Sequence, residues 1–419
     1  MRKVNKLAAL MLLSLSGGAL VASPVAFAAA KGECPIDKRK SQAVGQSSAK
    51  KVQRSFQAYQ DGNLDEAIAI LLEANPSDSF DKAYVARMLG NFYAEKGQMD
   101  TALKYLKQAV DANVLGGADH GQTMRLYADI LVGEKQFKGA IEYYYKWMEF
   151  TCKTEDSQVY RRIAVSHSQL KEWDKTLATA DKAIQYADKP DKGLYQLKLT
   201  SYYEKKQYKN AIGVLETMVK LFPADKSLWV QLAQFYLLVE DYNNAAVTYD
   251  LAYKMGALTT EANLKRLPQL LAQQGAPYQA AKVFEKHLKA GDIKKDKANV
   301  EQLARFYHQA KELKVAASYY GEAATFDNDG DMYLKQGRLY SIERDYKPAI
   351  EAFKKALDSG VKNQGEVDFE LGLAYIGLKQ YKSAYTYMQR AANDSKTARN
   401  AKSYISYIKE KARINNVTL

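Results

Sequence analysis

The stretch KSLWVQLAQFYLLVEDYNNAAVTYDLAY, residues 226–253, places large and small residues at fixed intervals. After Trp229, the small residue Ala233 follows four positions on and the aromatic Tyr236 seven positions on. Intervals of three, four and seven residues bring side chains onto one face of an α-helix. The polar segment VEDYNN interrupts the pattern, which resumes at Ala245. The stretch therefore predicts a helix, a short turn and a second helix.

The same unit recurs along the chain. The position of Ala233, which we call the small slot, repeats at spacings of 33 to 38 residues: Ser55, Gly90, Ala128, Ala164, Leu199, Ala233, Pro268, Ala304, Gly337 and Gly372. The alanine of the second helix repeats too, with Thr176 as the departure: Ala67, Ala102, Ala140, Ala211, Ala245, Ala280, Ala316, Ala349 and Ala384. One helix pair cannot bury its apolar face alone, so tandem pairs predict a stack that shares one core.

Large side chains accompany the small ones. A large slot lies three positions before the second-helix alanine, with Pro277 as the exception: Leu64, Met99, Phe137, Trp173, Tyr208, Tyr242, Leu313, Tyr346 and Tyr381. Two helices cross closely only where a side chain is small, and large side chains fill the space beside that contact. The 31 tyrosines are therefore expected mostly in the core. A ladder of rings that stacks on a carbohydrate or nucleobase is the alternative.

The repeat resembles the tetratricopeptide repeat (TPR), whose pattern W-x2-L-G-x2-Y is followed by A-x3-F and often by proline. Pro223 stands at that closing position, and the resemblance covers about residues 48–395. It implies an all-α, right-handed superhelical solenoid of about ten helix pairs. Pro268 occupies the small slot of one first helix, where a proline removes a helical hydrogen bond. We therefore expect a bend of the stack near residue 268.

Residues 396–419 follow the last repeat. Ala401, Tyr404, Ile405 and Ile408 form a one-sided apolar stripe there. A stripe of this kind predicts a helix that covers the open end of the stack and turns its polar side to water. We expect a capping helix and a short tail.

The N-terminus is typical of a secretory signal peptide. The basic start MRKVNK precedes the 15-residue apolar run LAALMLLSLSGGALV and an A-x-A exit in PVAFAAA. The run is shorter than a membrane span. We expect a signal peptide over residues 1–30 that is cleaved before Ala29 or Lys31, an irregular segment over residues 31–47, and a periplasmic protein without a membrane span. A retained anchor is the alternative.

The charge of the chain indicates acidic partners. The formal net charge is +13, and loss of Arg2, Lys3 and Lys6 with the signal peptide leaves +10. Export argues against nucleic acid as the partner. Anionic lipid headgroups, cell-wall polymers and acidic protein segments are the candidates in the envelope. The alternative is that the charge is spread over solvated helix faces.

The number and placement of the cysteines and histidines limit the kinds of site that the chain can form. Cys34 and Cys152 remain after processing, and an oxidising compartment favours a disulfide between them; two free thiols are the alternative. The four histidines lie in separate repeats, without the spacing of a metal site or of Cys/His catalysis. No catalytic motif and no spare domain accompany the repeats. We therefore expect no metal, no cofactor and no enzymatic activity.

The resemblance also predicts a binding surface, because TPR stacks bind peptides or helices in the concave groove lined by their first helices. Carried onto the repeats, that geometry points to Arg87, Asn91, Arg125, Asp129, Arg161, Gln196, Gln234, Lys265, Arg305, His308 and Arg338. Arg87, Arg125 and Arg161 take the same position in consecutive repeats, so our hypothesis is a guanidinium ladder that binds an acidic segment of a partner. The alternative is that these arginines pair with neighbours such as Asp129 or are solvated.

The combined expectation is a periplasmic scaffold that holds a protein partner. The signal peptide, the GECP start of residues 32–35 and the ten repeats together are similar to TPR proteins that accompany TonB–ExbB–ExbD energy-transduction systems. That resemblance implies a partner in the inner-membrane energising complex and a role in the uptake of iron chelates. The alternative function is binding of an envelope polymer, peptidoglycan or lipopolysaccharide, or a part in envelope assembly.

Overall fold

The computed structural model describes residues 34–419, which form 21 α-helices and no strand. The helices are α1 (Gln46–Gln60), α2 (Leu64–Leu72), α3 (Ser79–Glu95), α4 (Met99–Ala112), α5 (Gly117–Gly133), α6 (Phe137–Thr151), α7 (Ser157–Gln169), α8 (Trp173–Gln185), α9 (Lys192–Glu204), α10 (Tyr208–Leu221), α11 (Ser227–Leu238), α12 (Tyr242–Lys254), α13 (Glu261–Gln273), α14 (Pro277–Ala290), α15 (Lys297–Gln309), α16 (Leu313–Ala324), α17 (Gly330–Ile342), α18 (Tyr346–Asp358), α19 (Gln364–Gly377), α20 (Tyr381–Ala391) and α21 (Ala398–Ile414). The predicted all-α fold is confirmed. The expected signal peptide lies outside the described residues.

The helices form ten pairs, in which the odd-numbered helices α1 to α19 are the first helices and the even-numbered helices α2 to α20 the second. Every second helix begins at the large slot, from Leu64 in α2 to Tyr381 in α20. The residue two positions earlier has a positive φ in all ten turns: Gly62, Gly97, Lys135, Lys171, Lys206, Glu240, Gly275, Lys311, Arg344 and Lys379. A left-handed residue just past the end of a helix closes its last turn and redirects the chain. The turns are therefore one structure repeated ten times.

The small slots bring the two helices of a pair together. All ten small slots and all ten second-helix positions are buried. A Cβ at Gly90 would lie 2.6 Å from Leu106 Cγ, and a Cβ at Gly372 would lie 2.7 Å from Met388 Cε. In each case the large residue stands four positions after the second-helix alanine. The large side chain thus packs against the small slot of the first helix, as the spacing predicts.

The described chain divides into two compact units, residues 34–166 and residues 167–419. In the second unit one buried core continues from Val230 to Ala412, so it includes Leu267 and Leu270 on either side of residue 268 and also the last helix. Helix α13 runs unbroken through the buried Pro268. The bend of the stack near residue 268 stays a prediction. Helix α21 packs against α20, where a capping helix is expected.

The first unit carries a segment without helix, residues 34–45, which we call the strap. Cys34 of the strap forms a disulfide with Cys152, with 5.9 Å between the two Cα atoms. The amide of Ile36 donates to the carbonyl of Phe150 at 3.0 Å. The strap is therefore fixed to the end of α6 by one covalent bond and one backbone hydrogen bond.

Glycines make room for the strap on helix α5. The amide of Gly117 donates to the carbonyl of Arg39 at 3.2 Å. A Cβ at Gly117 would lie 2.1 Å from the carbonyl oxygen of Ile36. The glycine-rich stretch LGGADHGQ, residues 115–122, therefore has a structural role as the surface on which the strap rests.

Candidate partner-binding surface

The predicted groove residues lie on the first helices, at or near the positions three before and one after the small slot. We call this the first-helix face. All eleven predicted residues are at least partly exposed: Arg87, Asn91, Arg125, Asp129, Lys265 and Arg338 are half-buried, and Arg161, Gln196, Gln234, Arg305 and His308 are exposed. The face is therefore accessible along both units. Its concave shape is implied by the TPR resemblance and stays a prediction.

In the first unit the arginines bind acids of the next repeat. Arg87 Nη2 of α3 lies 2.9 Å from Asp119 Oδ1 of α5. Arg125 Nη1 of α5 lies 3.2 Å from Asp156 Oδ2, which immediately precedes α7. The Arg125 guanidinium also lies over the Trp147 ring, 4.9 Å from its centroid. The two arginines therefore join consecutive first helices.

Asp129 is a second carboxylate that pairs with arginines of the first-helix face. Its carboxylate lies 3.8 Å from Arg125 Nε and 3.2 Å from Arg162 Nε, and it accepts a hydrogen bond from the Tyr144 hydroxyl. Burial and this bond to Asp129 raise the pKa of Tyr144 well above its usual range. For Arg125, the pairing with Asp129 that the sequence left open as an alternative is present in the structure. Sequence reasoning missed Asp119 and Asp156, because the acid partners lie one repeat ahead.

The second unit repeats this pattern. Arg338 of α17 bonds Glu366 and, at 3.0 Å from its Nε, Glu370 of α19. Glu301 of α15 lies 2.7 Å from Arg305 Nη2 and 3.3 Å from Lys335 Nζ of α17. Lys265 has a weaker contact with Glu261 of its own helix, at 3.6 Å. The face thus presents alternating charges rather than a row of free cations.

A pocket opens beside Arg338, between the first helices α17 and α19. Its volume is about 500 Å³, and its lining is Arg338, Ser341, Ile342, Tyr346, Glu370, Leu373, Ala374, Ile376 and Gly377. Ile342 is 63% exposed, which is unusual for a large aliphatic side chain. Ser341 Oγ is buried and has no hydrogen-bond partner among the described residues. The pocket therefore combines an apolar surface with an unused polar atom.

Glycine shapes one wall of this pocket. A Cβ at Gly377 would lie 2.4 Å from Tyr346 Cε2, so the ring of Tyr346 fills the place where a side chain would stand. Sequence reasoning identified Arg338 but missed Ser341, Ile342 and Gly377. Ile342, a large aliphatic residue at the end of a first helix, was the signal in the sequence that could have indicated this pocket.

Two further properties concern the whole described part of the chain. Between residues 34 and 419, no group of three His, Cys, Asp or Glu side chains could hold a metal ion. None of the helices described in that range has both the length and the apolar character needed to cross a bilayer.

Comparison with protein families finds two matches, both described as tetratricopeptide repeat. One model matches residues 87–150 and the other residues 330–359. The first match spans most of α3 to α6, and the second spans α17 and α18. No curated protein matches the chain.

Several solved structures are similar. The C-terminal part of a TPR repeat-containing protein from Cytophaga hutchinsonii is 19% identical over 60% of this chain and 98% of that chain, with a TM-score of 0.35. A tetratricopeptide repeat protein from Parabacteroides merdae is 14% identical over 79% of this chain and 99% of that one, also with a TM-score of 0.35. MamA from Desulfovibrio magneticus is 16% identical over 44% of this chain and 99% of that one, with a TM-score of 0.35. With TM-scores below 0.5, these likenesses carry no further conclusion.

Proposed function

Because the chain is a tetratricopeptide repeat protein, we propose that it is a scaffold that holds a segment of a protein partner on its first-helix face. Proteins of this family are generally scaffolds without enzymatic activity, and we propose the same for this chain. The pocket between α17 and α19 is the observation that carries the proposal. It offers an apolar cavity on the face that the family uses for binding.

The chemistry of the pocket indicates what the partner brings. A large apolar side chain of the partner would fill the cavity and cover Ile342. Arg338, held between Glu366 and Glu370, would form a rim with both signs of charge. The partner is therefore a peptide or helix with one buried apolar anchor and polar flanks.

The arginines of the first unit are the second element of the proposal. An acidic partner segment would replace Asp119 and Asp156 as the ligands of Arg87 and Arg125, and Arg161 continues the row. Exchange of one carboxylate for another costs little, because no guanidinium is left unpaired. The first unit would then bind acidic residues while the second unit binds the apolar anchor.

We further propose that the protein works in the periplasm and that its partner belongs to a TonB–ExbB–ExbD complex, which would link it to iron uptake. The signal-like N-terminus and the similarity of the whole chain to TPR proteins of such systems support this. The mature protein is then expected to begin at Ala29 or Lys31. Mass spectrometry of periplasmic protein that finds Met1 intact would refute export with cleavage.

The experiment that tests the function is recovery of partners from solubilised envelope by the purified mature protein. Ile342→Asp is expected to abolish recovery of a defined membrane protein, since it places a charge in the apolar pocket. The matched control Val247→Asp changes a side chain that is 70% exposed on the second helix α12, and it is expected to leave recovery unchanged. Equal loss in both variants, or in neither, would refute binding at this pocket.

A second set of variants tests the arginine row. The triple variant Arg87→Gln, Arg125→Gln and Arg161→Gln is expected to weaken recovery. The control triple Lys50→Gln, Lys104→Gln and Lys138→Gln removes the same charge from exposed positions of the same unit. Unchanged recovery by the arginine variant would exclude the first unit from binding. Salt-sensitive co-sedimentation with purified sacculi, in place of protein recovery, would favour the envelope-polymer function.

A further inference from the structure

The positive charge of the chain is concentrated at its C-terminal end. Residues 34–166 contain 18 basic and 17 acidic residues, whereas residues 167–419 contain 39 and 30. Within residues 379–419 there are nine basic residues and two acidic ones. The charge is thus not spread evenly over solvated helix faces, because residues 379–419, which contain α20 and the capping helix α21, carry a net charge of +7.

Four of the five cations of the capping helix lie in one line, and the fifth, Lys411, lies over the Tyr407 ring instead. Arg399, Lys402, Ser406, Lys409 and Arg413 follow one another at intervals of three, four, three and four residues, and all five are exposed. This spacing places them on a single face of α21. We call this line the basic stripe. From Arg399 to Arg413 it spans 15 residues and extends about 21 Å along the helix.

Most of the stripe is not neutralised by the protein. Arg413 Nη2 lies 2.8 Å from Glu410 Oε1. Lys409 Nζ lies over the Tyr385 ring, 5.8 Å from its centroid. Among the residues that the structure describes, Arg399, Lys402 and Lys409 have no carboxylate within 4.0 Å. These three cations contrast with Arg87 and Arg125, which both have acid partners.

A row of apolar side chains runs parallel to the stripe. Tyr404, Tyr407 and Ile414 are 38%, 46% and 58% exposed, and their spacing of three and seven residues puts them on the other exposed side of α21. Ala401 and Ile408 face the core and hold the helix in place. The exposed surface of α21 therefore has four cations along one edge, and along the other it has aromatic and aliphatic side chains with Lys411 among them.

We propose that this surface of α21 docks on the face of an anionic lipid bilayer. Anionic headgroups attract lysine and arginine, and tyrosine side chains are favoured at the boundary between headgroups and acyl chains. A bilayer offers both environments in one plane, as the two rows require. An acidic polypeptide would pair with the cations of the stripe but would leave Tyr404, Tyr407 and Ile414 in water. The scaffold would then be held at a membrane surface while the first-helix face binds its partner.

The test is whether the purified protein sediments together with lipid vesicles. The vesicles contain phosphatidylethanolamine and phosphatidylglycerol in a 7:3 ratio, and the buffer contains about 0.1 M salt. Binding is expected to these vesicles and not to phosphatidylcholine vesicles. The variant Arg399→Gln, Lys402→Gln, Lys409→Gln is expected to bind at least tenfold more weakly. The control Lys50→Gln, Lys104→Gln, Lys138→Gln, with the same net charge, is expected to stay within twofold of the unchanged protein.

Other outcomes would overturn the proposal. Equal binding by the two triple variants would show that net charge rather than the stripe is responsible. Equal binding to phosphatidylcholine vesicles would show that anionic headgroups are not the ligand. Tyr404→Ser with Tyr407→Ser keeps every cation and is expected to weaken vesicle binding. The double tyrosine variant could bind vesicles as well as the unchanged protein does, and soluble polyglutamate could displace both proteins from the vesicles. That result would show that the stripe binds an acidic polypeptide instead.

Discussion

Gly337 of α17 and Phe353 of α18 are in such close contact that a Cβ at position 337 would lie 2.4 Å from the ring atom Cε1 of Phe353. The phenylalanine is fully buried, and its ring occupies the space that the glycine leaves open. The same relationship joins Gly90 to Leu106 and Gly372 to Met388. The pairing of a glycine with a large residue is therefore what holds these three helix pairs at their short distance.

Replacement of Gly337 by alanine is expected to destabilise the second unit by roughly 1–3 kcal/mol, because the ring of Phe353 has to move out of its seat. The matched control is Gly213→Ala within α10, where a Cβ would have nothing within 4 Å. That change is expected to stabilise the helix by about 0.5–1 kcal/mol. Denaturant unfolding followed by circular dichroism measures both. A stabilised Gly337→Ala protein would show that the contact is not a packing constraint.

The repeated turns predict that some substitutions by glycine are stabilising. Lys206 has a φ of 57°, a left-handed conformation that costs a lysine about 1–2 kcal/mol. Lys206→Gly is expected to raise stability by roughly 0.5–1 kcal/mol once the added freedom of the unfolded chain is subtracted. Gly275, with a φ of 81°, is the reciprocal control, and Gly275→Ala is expected to lower the melting temperature. A lower melting temperature for Lys206→Gly, or a higher one for Gly275→Ala, would contradict the turn assignment.

The disulfide is expected to stabilise the first unit. It closes a loop with a sequence separation of 118 residues, and loss of a cross-link of that length is expected to cost about 2–4 kcal/mol. Reductant should therefore lower the unfolding midpoint of the unchanged protein. In the variant Cys34→Ser with Cys152→Ser the midpoint should already be low and insensitive to reductant. A midpoint that reductant does not change in the unchanged protein would show that the bond contributes nothing.

Glu285 predicts a loss of stability in acid. Burial alone would raise the pKa of its carboxyl, but hydrogen bonds from Lys289, Tyr307 and Tyr319 outweigh burial and lower that pKa to about 2. Because the folded pKa lies below the unfolded value of about 4.3, the stabilisation is complete above that value and is lost as the pH falls toward 2. The expected contribution is about 1–2 kcal/mol.

The measurement is the unfolding free energy of the unchanged protein and of Glu285→Gln as a function of pH. The difference between the two should be largest at pH 7 and should shrink between pH 4.3 and pH 2. A difference that stays constant across this interval would show that the charge of Glu285 does not matter.

Sequence periodicity determined the helix pairs, because each turn and each close contact depends on residues within one repeat. The large slots therefore marked the first residue of every second helix. The site was less accessible to prediction, because it depends on contacts between repeats. The position of Arg87 on its helix followed from the repeat, but its partner Asp119 depends on how α3 and α5 stack. The strap shows the same limit, since Ile36 and Gly117 meet only in the folded chain.

Site-specific photo-crosslinking in living cells tests the central claim, that the first-helix face holds a protein partner. A photoreactive residue at position 342 is expected to give a discrete protein adduct, and Arg338→Glu in the same chain is expected to abolish it. The same residue at position 247, on the second helix α12, is expected to give none. No adduct at position 342, or the same adducts at both positions, would contradict the account.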